Sequence, residues 1–247
     1  MKKKKLIKNF INGFLKIFNL RLNKITLSNN FYYHIAQTLE FHNIDLVLDI
    51  GANEGQFAEK LIEHGYKKKI ISFEPIEDVH KILKKNSKAH DNWIVYENFG
   101  FGKINETKLI NISKNSVSSS ILEINKTHLD IEPDARTISK EEIRLITLND
   151  FLSQNEYKDK KIFVKIDTQG YEENILLGAD KVLNQISTIM IETSISKVYD
   201  QEKDYLEMIN LMKSFGFHVW SVERGFTNKK TGQVLQLDII FVNSDAN

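Results

Sequence analysis

Apolar positions along the 247-residue chain fall into short unbroken runs, separated by stretches that repeat at three- and four-residue steps. Leu46 to Ile50 is apolar except for Asp49. After Gly51-Ala52-Asn53-Glu54-Gly55, the positions Phe57, Leu61 and Ile62 follow a helical period. Ile70 to Phe73 is a second run and ends on Glu74-Pro75. A strand buried on both faces reads as continuous apolar residues, and a helix packed on it shows one apolar stripe, so this stretch is predicted to be a βαβ unit. The alternation continues through predicted strands at Trp93–Tyr96, Ile162–Ile166, Ser187–Ile191, Phe217–Val222 and Leu235–Val242. Predicted helices cover 28–45, with Phe31, Ile35, Leu39 and Phe41 on one face, and Glu77–Asn86, with Val79, Ile82 and Leu83 inward. Three more cover Leu148–Asn155, Glu172–Asn184 and Tyr205–Phe215. Strands alternating with helices point to an α/β fold with a mainly parallel sheet.

Two regions break the pattern. In residues 103–147 only Thr107–Ile112 and Ile143–Thr147 alternate like strands, and between them lie Ser116-Val117-Ser118-Ser119-Ser120 and a polar run through Asp134-Ala135-Arg136. An insertion of that length either binds something or lacks fixed structure. Residues 1–24 carry Leu6, Ile7, Phe10, Ile11, Phe14, Leu15, Ile17 and Phe18 at helical steps, with Lys8, Asn9, Asn12, Lys16 and Asn19 on the other faces. This predicts a basic amphipathic helix over 1–27, ahead of a catalytic domain over 28–247. Its apolar face suits an anionic bilayer surface, or the domain itself, or a second subunit. Lys8 and Lys16 interrupt the roughly twenty uncharged residues that a span needs. A signal peptide is not expected either, because no small-residue cleavage site follows.

Composition narrows the chemistry. A formal charge of +1 gives no global field to recruit nucleic acid. The absence of cysteine excludes disulfides, thiolate zinc, iron–sulfur clusters and a cysteine nucleophile, and fits a cytoplasmic protein. Seven histidines occur without an H-E-x-x-H pair, so no zinc cage is visible. The only prolines are Pro75 and Pro133, so the Asn/Asp-Pro-Pro-aromatic signature of many amino-group methyltransferases is missing.

Glycines at the first turn expose amide groups at a helix start, and Glu74 at the end of the next strand is placed to hold ribose hydroxyls. Gly51 and Gly55 are spaced G-x-x-x-G rather than the G-x-G-x-x-G of a pyrophosphate turn. Asp49 would repel a pyrophosphate but accepts hydrogen bonds from a cationic amino-acid ligand, so S-adenosylmethionine fits better than NAD. Asp49, Gly51, Asn53, Gly55 and Glu74 are therefore the predicted cofactor residues. Asn98 or Phe99, after the third strand, is placed to touch the adenine, with Phe99 as simple core the alternative. Asp167 and Glu192 end neighbouring strands, with Lys165 two residues before the first. Acids at that edge are candidates for proton transfer. Asp167 is the first candidate base, Glu192 the second, and Lys165 would hold an acceptor oxygen or orient Asp167 unless it points to the opposite sheet face. A divalent cation between the carboxylates remains an alternative, although no metal site is assigned. Arg224, Lys229 and Lys230 are a candidate wall for a polar acceptor or a solvated hairpin tip.

Asp49-Ile50-Gly51-Ala52-Asn53-Glu54-Gly55, Phe73-Glu74-Pro75, Lys165-Ile166-Asp167-Thr168-Gln169-Gly170-Tyr171-Glu172 and Asp238-Ile239-Ile240-Phe241-Val242, in that order, resemble the FkbM family of S-adenosylmethionine-dependent methyltransferases. The resemblance spans about Leu46 to Asn243, and K-x-D-x-x-G-x-E is its most particular part. It implies a Rossmann-like class I methyltransferase sheet of order 3-2-1-4-5-7-6 with an antiparallel seventh strand, and O-methylation of a sugar, glycan or related polar hydroxyl. It also implies that the serine cluster lines an acceptor pocket, a solvated loop being the alternative. A small molecule or glycan, and not nucleic acid, is the expected partner; contact with the inner face of a membrane and a homo-oligomer stay open. The rival readings are a nicotinamide-dependent sugar-modifying enzyme, disfavoured by the glycine spacing and the lack of a Tyr-x-x-x-Lys pair, and a noncatalytic, membrane-associated protein that keeps the fold.

Overall fold

The computed structural model describes residues 2–244, apart from the side chains of 2–6, 127 and 155. Met1, the side chain of Leu6 on the predicted apolar face and residues 245–247 of the predicted domain therefore fall outside the description. In chain order the elements are α1 (Lys2–Leu15), α2 (Phe31–Phe41), β1 (Leu46–Ile50), α3 (Gln56–Glu63), β2 (Lys69–Phe73), α4 (Glu77–Ser87), β3 (Trp93–Val95), β4 (Gly100–Phe101) and β5 (Glu106–Ser113). There follow α5 (Lys126–Ile131), β6 (Thr137–Ile146), α6 (Leu148–Leu152), β7 (Ile162–Ile166), α7 (Glu172–Leu177), β8 (Ile186–Ser194), α8 (Tyr205–Ser214), β9 (Phe217–Arg224) and β10 (Gln236–Asn243).

Seven strands form one sheet in the order β3-β2-β1-β7-β8-β10-β9. Counted among themselves they run 3-2-1-4-5-7-6, and β10 is antiparallel to both its neighbours. The order reverses between β1 and β7, where strand ends open a crevice for a ligand. The period of two along each strand divides the core. Leu46, Leu48 and Ile50 of β1, with Val164 and Ile166 of β7, face one layer, while Val47 and Phe163 face α2 and α3 on the other. Asp49 and Lys165 continue that second face, and the register sets them side by side.

The irregular stretch after β3 forms a second sheet, ordered β4-β6-β5, in which β5 and β6 are antiparallel. Phe101, Ile110, Ile143 and Leu145 join it to the main core, so it is a packed cover. Several helix expectations are corrected: the N-terminal helix expected over 1–27 ends at Leu15 with one 3-10 turn to Phe18, and that expected over Leu148–Asn155 ends at Leu152. The helix predicted over Glu172–Asn184 stops at Leu177, because Gly178 lies against the backbone of Gly102, whose carbonyl oxygen would be 2.1 Å from an added Cβ. Phe41 is exposed and its ring stacks on Trp220 of edge strand β9 at 5.6 Å. Ile82 also points to solvent rather than inward.

Candidate active site

The glycine turn is shaped by what crosses it. Gly51 has φ +71°, and a Cβ there would sit 2.0 Å from the Asp167 carbonyl oxygen, so only glycine lets the chain leaving β1 pass the chain leaving β7. Asn53 follows at φ +48°. Its N–H donates to Glu74 Oε2 at 3.0 Å, while the Ile76 N–H donates to Glu74 Oε1 at 2.9 Å. Glu74 is thus fixed between two amides at 5% exposure. Burial pushes its carboxyl up to about 7, against the lowering effect of those amides and of Lys165. Each oxygen keeps a further lone pair for a ligand in the cavity that Glu74 lines.

Three predicted cofactor residues stand outside that lining. Gly55, at φ +98°, is needed because a Cβ would lie 2.3 Å from the Trp93 ring, so it seats the start of α3 on β3. Asn98 is exposed and its Nδ2 donates to the carbonyls of Glu74 and Pro75, both at 2.9 Å, which ties down the loop after β2. Phe99, the alternative adenine contact, is buried core. Asp49 has no exposure at all. Ser72 donates to its Oδ2 at 3.0 Å, and the Trp93 indole donates to Ser72 in turn at 2.9 Å.

Lys165 lies on the site's face of the sheet rather than the opposite one. Its Nζ is 3.2 Å from Asp49 Oδ1 and 3.4 Å from Asp167 Oδ2, and donates to the Gly51 carbonyl at 3.0 Å. Burial works to lower the value of the ammonium, but Asp167 and Asp49 outweigh it and hold Lys165 above its ordinary value. Lysine, two carboxylates and the glycine turn are thus locked together.

Beyond Lys165 the acids converge. Gln169, at φ +56°, donates from Nε2 to Asp167 Oδ1 at 2.8 Å and to Glu192 Oε2 at 2.6 Å. Gln236 Nε2 also donates to Glu192 Oε2 at 3.0 Å, and Asp238 is the cross-strand partner of Glu192. The Tyr199 hydroxyl lies 2.9 Å from Gln169 Oε1 and 3.0 Å from the Ser118 carbonyl. Burial, then the charges of Asp167 and Asp238, raises Glu192 well above its ordinary value. Asp238 is pushed up to about 7 by burial first and Asp167 second. Glu172 sits below, accepting from the N–H groups of Thr168 and Gly170 at 2.9 and 3.1 Å, so it holds the loop that presents Gln169.

Sequence reasoning singled out Asp167, Glu192 and Lys165, which the structure brings together, but passed over Gln169, Gln236, Asp238 and Tyr199. Gln169 and Asp238 both stood inside quoted motifs. All the lining groups share one cavity of about 350 Å³, reaching from the glycine turn to the second sheet. Ser116 and Ser119 line it, and Ser120 donates to the Gln169 carbonyl at 2.6 Å, so the serine cluster is part of its wall. Phe31 and Tyr32 of α2 close the near side. Arg224, Lys229 and Lys230 do not line it, which corrects the acceptor-wall expectation; their loop closes on itself through Asn228. Among the described residues no group of three His, Asp or Glu is arranged to hold a metal ion, and no helix is long and apolar enough to cross a membrane.

A sheet of this order, with a glycine turn after its first strand and a buried acid after its second, defines the class: an S-adenosylmethionine-dependent methyltransferase of the class I fold. The model of the Methyltransferase FkbM domain matches residues 49–219, and the chain belongs to that family. Membership sets aside the nicotinamide reading. No curated protein sequence matches significantly. Among solved structures, the chain is similar to TrmK from M. capricolum in complex with S-adenosylhomocysteine (11% identity, 87% of this chain and 68% of that one, TM-score 0.49). It is also similar to 1,6-didemethyltoxoflavin-N1-methyltransferase from Burkholderia thailandensis (11%, 88% and 80%, TM-score 0.48). A third is magnesium protoporphyrin IX methyltransferase from Synechocystis PCC 6803 (9%, 98% and 97%, TM-score 0.45).

Proposed function

We propose that the protein methylates a hydroxyl of a sugar, glycan or related polar metabolite. The observation that carries this reading is the single cavity in which the Glu74 rim meets the cluster of Asp167, Gln169, Glu192 and Asp238. The rim fits the cofactor: Glu74 has lone pairs for two ribose hydroxyls, and Ile76, Phe101 and Leu145 offer an apolar wall for a purine. When bound, S-adenosylmethionine supplies an electrophilic methyl group on a sulfonium.

The chain's own task is to orient an acceptor oxygen and take its proton. Asp167 is the cluster carboxylate best suited to accept it, because its side chain lines the cavity at one-third exposure and Gln169 Nε2 holds its Oδ1 in place at 2.8 Å. Glu192 stands second to Asp167 for that role. Burial and the charges of Asp167 and Asp238 raise it well above its ordinary value, which favours its neutral form over the ionised one that a base needs. Carboxyl and carboxamide groups at this density match the several hydroxyls of a sugar, whereas a phosphodiester would meet repulsion from Asp167.

Asp167→Asn is expected to keep the thermal stabilisation given by S-adenosylhomocysteine while losing transfer of labelled methyl to fractionated glycans. Wild-type turnover in that variant would remove Asp167 from the role of base. Activity lost on complete chelation would instead restore the divalent-cation version.

A further inference from the structure

Outside the cavity, the largest unexplained feature is the N-terminal segment. Ile7, Phe10, Ile11, Phe14, Ile17 and Phe18 all stand exposed, Phe10 at 82% and Ile17 at 75%, and no described side chain from Ile7 to Phe18 is buried. The helix does not pack its apolar stripe on the domain, which removes one of the three occupants the periodicity left open. The segment is nevertheless ordered by its own contacts. Asn12 exchanges two hydrogen bonds with the backbone of Leu22, folding the following chain back along α1, and Phe14 meets Phe18 edge-on at 5.7 Å. Leu20, Leu22, Ile25 and Leu27 extend the apolar surface. Leu27 also shares a shallow recess with Phe41 and Trp220, two exposed aromatics stacked on the folded domain.

Charge decides what covers this surface. Residues 1–39 contain eight Lys and Arg and no Asp or Glu. The whole chain has 34 of the former and 33 of the latter, so residues 40–247 keep 26 cations against 33 acids. The domain alone would be repelled by an anionic surface, and the segment alone would be drawn to one. Large apolar side chains on one side of a short helix, lysines around them, and a tryptophan nearby are the combination that settles at the headgroup level of a bilayer.

We propose that residues 7–27, together with the Phe41–Trp220 recess, dock the protein on a membrane surface rich in anionic lipid. This goes beyond the methyl-transfer reading and does not depend on it. The full-length protein should float with vesicles of phosphatidylglycerol and phosphatidylcholine, stay free of vesicles of phosphatidylcholine alone, and detach as salt rises. Phe10→Asp and Phe14→Asp should each weaken partitioning by roughly tenfold or more, and Lys16→Gln by roughly fivefold, with S-adenosylhomocysteine binding unchanged in all three. Because Trp93 is buried, quenching by brominated lipid reads Trp220. Binding without that quenching would overturn the inclusion of the recess. No flotation on anionic vesicles, or a dimer in solution that Phe10→Asp dissociates, would overturn the proposal in favour of an interface between two copies of the chain.

Discussion

Glu74 offers the sharpest test, because its surroundings set opposite demands on stability and on binding. Its carboxyl is pushed up to about 7 from an ordinary 4.5, and above pH 7 that difference costs the fold about 3 kcal/mol. The sign follows from the protons held. Between pH 4.5 and 7 the unfolded chain has lost a proton that the folded chain keeps, so this group's contribution to stability falls as pH rises through that window and levels off above it. Glu74→Gln removes the charge. It also leaves one of the two N–H donors, of Asn53 or Ile76, facing an amide NH₂, at a cost of about 1–3 kcal/mol. Above pH 7 the two effects nearly cancel, and the variant should melt within a few degrees of wild type. Near pH 4, with the charge penalty absent, it should be the less stable protein.

Binding should behave differently. Ribose hydroxyls donating to an ionised carboxylate contribute about 1.5–3 kcal/mol, so Glu74→Gln should weaken S-adenosylhomocysteine by roughly 10- to 150-fold at pH 8. In wild type the affinity should fall about tenfold per unit below pH 7, since a proton must leave before both oxygens can accept. Calorimetric titration at pH 6 and pH 8 reads both effects. Equal affinity in variant and wild type would refute the ribose role. A pH dependence that survives in the variant would assign the titration to Asp238 or Glu172, which are also pushed up to about 7.

Lys165→Met should destabilise the protein by about 3–5 kcal/mol by leaving Asp49 buried and without its cation, and adding Asp49→Leu should recover most of that; urea unfolding that separates neither variant from wild type would contradict the pairing. Gly51→Ala should lower the melting temperature sharply, because its Cβ would fall 2.0 Å from the Asp167 carbonyl oxygen at φ +71°; an unchanged melt would show that β1 and β7 part more easily than their packing implies. Tyr199→Phe should leave folding nearly intact but cut kcat by roughly tenfold with little change in KM, since the hydroxyl restrains Gln169. A KM effect alone would make Tyr199 a contact for the acceptor.

The sheet was legible because each of its strands is a continuous or alternating apolar run, and because K-x-D-x-x-G-x-E marks the end of β7. The second sheet was half legible. Thr107–Ile112 alternates, but β6 begins at Thr137, and its outer half is exposed, so no apolar period announces it. Phe41 lies two residues past Leu39, a spacing that does not share a helix face, and the exposed Trp220 on which it stacks lies on a strand whose position at the sheet edge only the tertiary structure shows.

The acid cluster depends on register, which local pattern does not carry. Glu192 meets Asp238 because β10 runs antiparallel to β8, and a shift of one residue would turn Asp238 to the opposite face. The partner of Lys165 was, by contrast, written in the chain. LVLDI and IFVKI are both five-residue buried strands with one charge each, of opposite sign and at the same fourth place. Adjacent parallel strands of equal length that end at one rim set equivalent positions side by side, as Asp49 and Lys165 are. Neither charge is stable at that depth alone, so each accounts for the other. Asp49 is thereby fixed as the buried counter-charge of a lysine that stands 3.4 Å from Asp167 and lines the same cavity.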